Sequence, residues 1–146
     1  MPRDCRSTLD PVVMPTPFRT LSTNEEFENA LERSTIRPVV IFKHSPTCGI
    51  SAQAFESISE WLAAKSPVAD IFVLPVQASR ALSTAVAQRF GIRHESPQAM
   101  VIDQGEVVWH GSHDRATAGA IAAALDTLAA AAAAARESAS LQGPRT

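Results

Sequence analysis

The sequence predicts an α/β protein, a three-layer α/β/α sandwich with a central mixed sheet of four strands. Three observations carry this. Segments with helical spacing of apolar residues alternate with short apolar runs. Two of those runs, 39–42 (VVIF) and 71–76 (IFVLPV), are continuous rather than alternating, as in parallel strands covered on both faces. Two more, 99–102 (AMVI) and 106–110 (EVVWH), flank Asp103-Gln104-Gly105, which reads as a tight hairpin turn.

The elements follow in order. Residues 1–18 read as a disordered tail, because Pro2, Pro11, Pro15 and Pro17 interrupt every short apolar run. Helical patterning begins at LSTNEEFENALERS, where Ser22 with Glu25, or Thr23 with Glu26, fits a capping box. Phe27, Ala30 and Leu31 share one face of this helix, and Pro38 ends the segment. After the strand at 39–42 and the loop KHSPTC, a helix runs from Cys48 to Lys65 on Ala54, Phe55, Ile58, Trp61 and Leu62. Ser66-Pro67 stops it. The strand at 71–76 leads to a helix over 79–90, with Leu82, Val86 and Phe90 on one face and Gly91 suited to its left-handed end. The hairpin follows. A last helix starts near Asp114 or Thr117 and passes Leu125 and Leu128 into the alanine run 129–135, a strong helix former.

The order α-β-α-β-α-β-β-α places a β-α-β unit before a hairpin and a closing helix. That is a thioredoxin-like layout. It divides the chain into a tail (1–18), a thioredoxin-like domain (19–128) and an alanine-rich extension with a disordered C-terminus (129–146).

The 146 residues suit one domain, and a chain of this length needs no disulfides to fold. The formal charge of −2 offers no basic stripe for nucleic acid. No N-terminal apolar run resembles a signal peptide. The apolar stretch 121–135 contains Asp126 and reads as too short and too weakly hydrophobic to span a bilayer. The expected location is therefore the cytoplasm, without membrane contact. Two cysteines, Cys5 and Cys48, are too few for a secreted disulfide scaffold. Cys5 sits in the tail and reads as a bystander. Its alternative role is that of a resolving thiol that swings to Cys48.

The chemistry falls on Cys48, which follows a buried strand and opens a helix. Unpartnered amides and the helix dipole favour an anion there. A free cysteine near pKa 8.5 is only a few per cent thiolate at neutral pH, and the dipole contributes about 0.3–1 kcal/mol. A second donor or a cation is needed, and Lys43, His44 and the hydroxyl of Ser51 are the nearest in sequence. Ser51 occupies the position of the second cysteine in C-x-x-C oxidoreductases. Here the motif is Cys48-Gly49-Ile50-Ser51, and a serine cannot close a disulfide. Exchange at Cys48 must be completed by a thiol from outside the motif.

Two other segments bear on the site. Ser96-Pro97 precedes the 99–102 strand and reads either as the cis proline that thioredoxin-like proteins place there, facing the thiol, or as an ordinary trans proline starting an edge strand. Gly111-Ser112-His113-Asp114 reads as a helix N-terminus, able either to hold a small anion or simply to cap the helix. His94 and Glu95 either tune the thiol or pair with each other.

The segments FKHSPTCGIS (42–51), GIRHESPQAMVI (91–102) and GEVVWHGSHDRAT (105–117) resemble the monothiol bacilliredoxins. These are thioredoxin-like proteins of the bacillithiol system, also catalogued as general stress proteins. The resemblance spans roughly residues 20 to 128. It implies a thiol–disulfide oxidoreductase in which Cys48 takes a low-molecular-weight thiol cap from a client protein, and a second small thiol releases it. It further implies that Thr47, Gly49 and Ser51 frame the nucleophile and that Ser96-Pro97 forms the cis-proline loop. Ser112 and His113 complete the expected substrate-binding set. No tightly bound cofactor is expected; bacillithiol or glutathione serves as co-substrate. The expected partners are S-thiolated clients, with the protein a monomer or weak dimer. Gly49 departs from the proline frequent in that family and also suits the C-G-F-S motif of monothiol glutaredoxins, which hold iron–sulfur clusters. Two other readings follow: a zinc or cluster site drawn from Cys48, His44, His94, His110 and His113, or a non-catalytic thioredoxin-like binding module.

Overall fold

Capping and burial explain most of the elements. Described here is a computed structural model covering residues 18–142 except Pro46 and Ser66, with the backbone alone for the last four. The tail with Cys5 lies outside the described residues.

Strand β1 (Arg19–Thr20) is followed by helix α1 (Asn24–Arg33). Of the two capping boxes the sequence allows, Thr23 with Glu26 forms. Thr23 Oγ1 accepts the Glu26 amide at 3.1 Å, and Glu26 Oε1 accepts the Thr23 amide at 3.2 Å. Strand β2 (Val39–His44), helix α2 (Gly49–Lys65), strand β3 (Asp70–Pro75) and helix α3 (Arg80–Phe90) make the β-α-β unit. Gly91 ends α3 at φ +66°, a left-handed conformation that glycine adopts without steric penalty. Strands β4 (Gln98–Asp103) and β5 (Glu106–Ser112) form the hairpin, with Gln104 and Gly105 both at positive φ. A 3₁₀ turn (His113–Arg115) precedes helix α4 (Ala118–Gln142).

The sheet has five strands rather than four, in the order β1-β3-β2-β4-β5. The addition is β1, a two-residue strand parallel to β3. So short a segment has no period of its own to detect. Tertiary pairing creates it. Phe18, at the end of the expected tail, is buried and stacks on Phe55 with ring centroids 4.8 Å apart.

Period two sorts the strand side chains onto two cores. Val40, Phe42, Ile71, Val73, Ala99 and Val101 face Ile58 and Leu62 of α2 and Ile121 and Leu125 of α4. Val39, Ile41, Phe72, Leu74, Met100 and Ile102 face Phe27 and Leu31 of α1 and Leu82 and Val86 of α3. The sandwich is therefore three layers, as the sequence implies.

Helix α4 starts at Ala118, where Thr117 Oγ1 accepts the Ala120 amide at 3.1 Å. It is longer than the alanine run suggests. Its span Ala118–Ser138, with mean hydropathy 1.6, is long and apolar enough to cross a membrane by length and composition, contrary to the sequence reading. The span begins before Ile121 and runs past Ala135. Its first turns, through Ile121 and Leu125, belong to the domain core, whereas residues 129–138 are all exposed.

Gly111, near the end of β5, tolerates no side chain. A Cβ there would lie 2.9 Å from the Arg115 carbonyl and 2.9 Å from the Trp109 ring. Gly111→Ala is expected to destabilise the fold by about 1–2 kcal/mol through overpacking, read as a lower urea midpoint at unchanged m-value.

Candidate functional site

Cys48 directly precedes α2. Its amide bonds the Ser45 carbonyl at 3.0 Å, and its carbonyl accepts the Ala52 amide at 2.9 Å, the first bond of the helical ladder. The thiol residue thus sits where the free amides of the first turn point outward. Cys48 is half-buried rather than packed in the core. Beside it Ile50 is 60 % exposed and Gly49 opens onto empty space, so an apolar surface and a gap flank the sulfur.

Ser51 does not serve the thiol as expected. It is fully buried, and its Oγ accepts the Ser45 amide at 3.0 Å and lies 2.8 Å from Nδ1 of His44. The hydroxyl is thus held between the loop backbone and the imidazole. Burial holds the His44 imidazole below its ordinary pKa, so at neutral pH the ring is uncharged. His44 also stacks on Phe55, with ring centroids 4.6 Å apart. His44 and Ser51 are therefore a clasp that shapes the loop, not a cation and a donor on Cys48.

Lys43 is the second correction. Alternation along β2 sends it to the α1/α3 face, away from α2. It is fully buried there, donating to the Ser83 carbonyl and to His94 Nδ1, each at 3.2 Å. Burial lowers its pKa from 10.5 to about 8, so the ammonium stays charged at neutral pH. Burial first, then the charge of Lys43, lowers the pKa of His94 against the opposing pull of Glu95. The Ser83 hydroxyl lies 3.1 Å from the same His94 nitrogen.

The Ser96-Pro97 bond is cis. Register places it at the same end of the sheet as the thiol loop, since Gln98 pairs with Lys43. The buried Ser96 hydroxyl has no partner among the described residues. Thr47 is held from a distance: Gln77, beyond β3, donates to its Oγ1 at 2.9 Å.

The third correction concerns 111–114. These residues are a strand end and a 3₁₀ turn, not the start of a long helix, so no helix N-terminus offers an anion site there. Ser112 accepts from buried Gln98 at 3.2 Å, and His113 lies 3.8 Å from Glu95. The bond to Ser112 is the main influence holding the Glu95 carboxyl below its ordinary pKa, and the positive charges around it add to that. Ser112 and His113 thus fasten the loop before the cis proline. Among the described residues no three His, Cys, Asp or Glu side chains converge to hold a metal. His44, His94 and His113 each turn to a different partner.

Sequence reasoning missed Gln77, Ile50 as an exposed apolar neighbour, and the Lys43–Ser83–His94 cluster. The Gln77 and Lys43 contacts join residues 30 to 51 positions apart, and no local pattern signals them. The exposure of Ile50 follows from its place in the first turn beside the glycine.

Comparison with known proteins agrees with this geometry. The family described as monothiol bacilliredoxin BrxC matches residues 19–121. A solved thioredoxin-fold protein, whose oxidoreductase activity is itself a proposal, is 35% identical, with TM-score 0.66, over 73% of this chain and 91% of that one. Mitochondrial thioredoxin 3 from Saccharomyces cerevisiae, in its oxidised form, is similar in fold at 14% identity and TM-score 0.62, over 77% of this chain and 96% of its own. Thioredoxin from Trypanosoma brucei brucei is similar at 13% identity and TM-score 0.63, over 78% and 93%.

Proposed function

The chain belongs to the monothiol bacilliredoxin family of thioredoxin-fold redox proteins, and on that premise we propose that it removes low-molecular-weight thiol caps from protein cysteines. The observation that carries this is a half-buried Cys48 opening α2, with the hydroxyl of Ser51 in place of a second thiol.

The cycle has two exchanges. Cys48, after losing its proton to solvent, attacks the sulfur of the cap on a client. The client–cap bond breaks, the client leaves as a thiolate that takes a proton from water, and the cap is now disulfide-bonded to Cys48. A second small thiol, as its thiolate, attacks the cap sulfur. It leaves as the oxidised small-molecule disulfide, and Cys48 is regenerated. The net change exchanges one disulfide for another: the capped client and one free small thiol become the client thiol and the small-molecule disulfide. The chain supplies position and a leaving thiolate, and no tightly bound cofactor takes part. Because Ser51 cannot attack the intermediate, release depends on the external thiol. Bacillithiol is the co-substrate this family membership favours, in a reducing cytoplasm, with S-thiolated proteins as clients and the chain acting as a monomer or weak dimer.

The test uses a peptide carrying a bacillithiol disulfide. The intact mass of the protein should rise by one cap as free peptide appears, then return to its starting value on addition of bacillithiol. Peptide release without a capped protein intermediate would overturn the proposal. A glutathione-capped peptide run in parallel identifies the preferred thiol.

A further inference from the structure

Lys43 poses a problem that the exchange cycle leaves open. Among the described residues it is the one fully buried side chain of a charged residue, and it has no carboxylate partner. Its three donor hydrogens meet one carbonyl and one imidazole nitrogen. Buried charges are ordinarily paired, and an unpaired one is costly.

Beside it lies a cavity of about 730 Å³, the size of a small-molecule site. Ser83 and His94, the two residues that hold Lys43, form part of its wall. Arg80 and Arg93 line it, and neither makes an ion pair among the described residues. No aspartate or glutamate lines it; Glu95, between the lining residues His94 and Ser96, lies 3.8 Å from His113 and offsets part of the charge of Arg93. The start of α3 adds to the positive potential. Its first turn carries no acid, and Ser79 gives it no side-chain cap. The cavity reaches both loops of the thiol site. Ser45, whose carbonyl holds the Cys48 amide, lines one part, and Ser96, with its unpartnered hydroxyl, lines another.

We propose that this cavity is a carboxylate-binding subsite for the small thiol of the exchange, with Arg80 and Arg93 at its mouth and the Lys43 ammonium behind its wall. The proposal rests on the cap-removal reading and gives the acid end of the small thiol a place beside the thiol loop. A cap whose sulfur is on Cys48 would extend between the 45–48 loop and the cis-proline loop, with its acid end among the cations. Neutral or amine-bearing thiols gain nothing there.

The test compares three peptides of one sequence, capped with mercaptosuccinate (two carboxylates), 2-mercaptoethanol (neutral) or cysteamine (an amine). The mercaptosuccinyl cap should transfer with a kcat/KM about tenfold or more above the neutral one, the worth of one charge-assisted hydrogen bond. The amine cap should be the slowest. In the Arg80→Gln/Arg93→Gln protein, whose changes are exposed and leave the core intact, the ratio of acid to neutral cap should fall towards one. Equal rates for the acid and neutral caps, or an unchanged ratio in the double variant, would overturn the subsite.

A binding measurement separates this from the parent reading. Free mercaptosuccinate added to the isotope-labelled protein should shift the amide resonances at positions 80, 93 and 94, and should not shift those positions in the double variant. Those shifts without transfer of any cap would retain the subsite and refute the exchange function. Transfer of caps with no shift on mercaptosuccinate would do the reverse.

Discussion

No cap is expected on the Cys48→Ala protein, and the release of client thiol should fall to the rate without protein. This is the largest effect the site predicts, because the substitution removes the atom on which both proposed exchanges turn. Folding should survive it. Cys48 is half-buried and makes its hydrogen bonds through its backbone, which alanine retains. Far-ultraviolet circular dichroism and a urea midpoint near that of the parent protein establish this independently. The chain has one other cysteine, Cys5, so intact mass distinguishes the possible sites. If Cys48→Ala still takes up a cap, the nucleophile is Cys5 and the assignment to the helix-opening cysteine is wrong. If Cys5→Ala is capped as readily as the parent, Cys5 is dispensable for the first exchange.

Stability should rise with pH across the alkaline range, by about 3 kcal/mol from Lys43 alone. Its pKa is 10.5 when the chain is unfolded and about 8 when folded. Below pH 8 both states hold the proton, and the full cost of burying the ammonium is present. Between pH 8 and 10.5 the unfolded chain binds more protons than the folded one, so rising pH favours folding. Above 10.5 the cost is gone. The window is unusually clean, because the sequence has no tyrosine and Lys65 is its one other lysine. Lys43→Met keeps an unbranched apolar stem and removes the charge. That variant should be more stable than the parent at pH 7, and the gap should close by pH 10.5. The comparison of the two proteins isolates the contribution of Lys43. Urea melts at pH 7, 9 and 10.5 decide the matter. Parallel pH dependences in the two proteins would show that the buried ammonium carries no such cost.

Much of the fold is legible in the sequence because its signals are local. Thr23 and Glu26 are three residues apart, and their capping box forms as read. The unbroken run 39–42 marks a strand covered on both faces, and both cores confirm it. What is not legible depends on distant partners. Strand β1 exists because β3 lies beside it. The site shows the same division. The place of Cys48 at the head of a helix follows from the pattern around it. The surroundings of Lys43 do not, since proximity along the chain suggests the thiol and its actual partner is His94. Strict alternation along β2 already contains the remedy. Lys43 shares parity with Val39 and Ile41, opposite to Val40 and Phe42, and therefore turns away from the helix that Cys48 opens. Ser51 illustrates a different limit. Its position beside the thiol motif is correct, but its hydroxyl is engaged by the Ser45 amide and the His44 ring.

The rings of Phe18, Phe55, His44 and Phe42 form a continuous pile from the residue before the outermost strand to the turn that carries Cys48. The imidazole at its inner end is the one that grips Ser51. The leading segment of the domain is thereby a brace: trimming the chain past Phe18 would withdraw the outer plate, and the slack would be felt thirty residues downstream, where the sulfur is aimed.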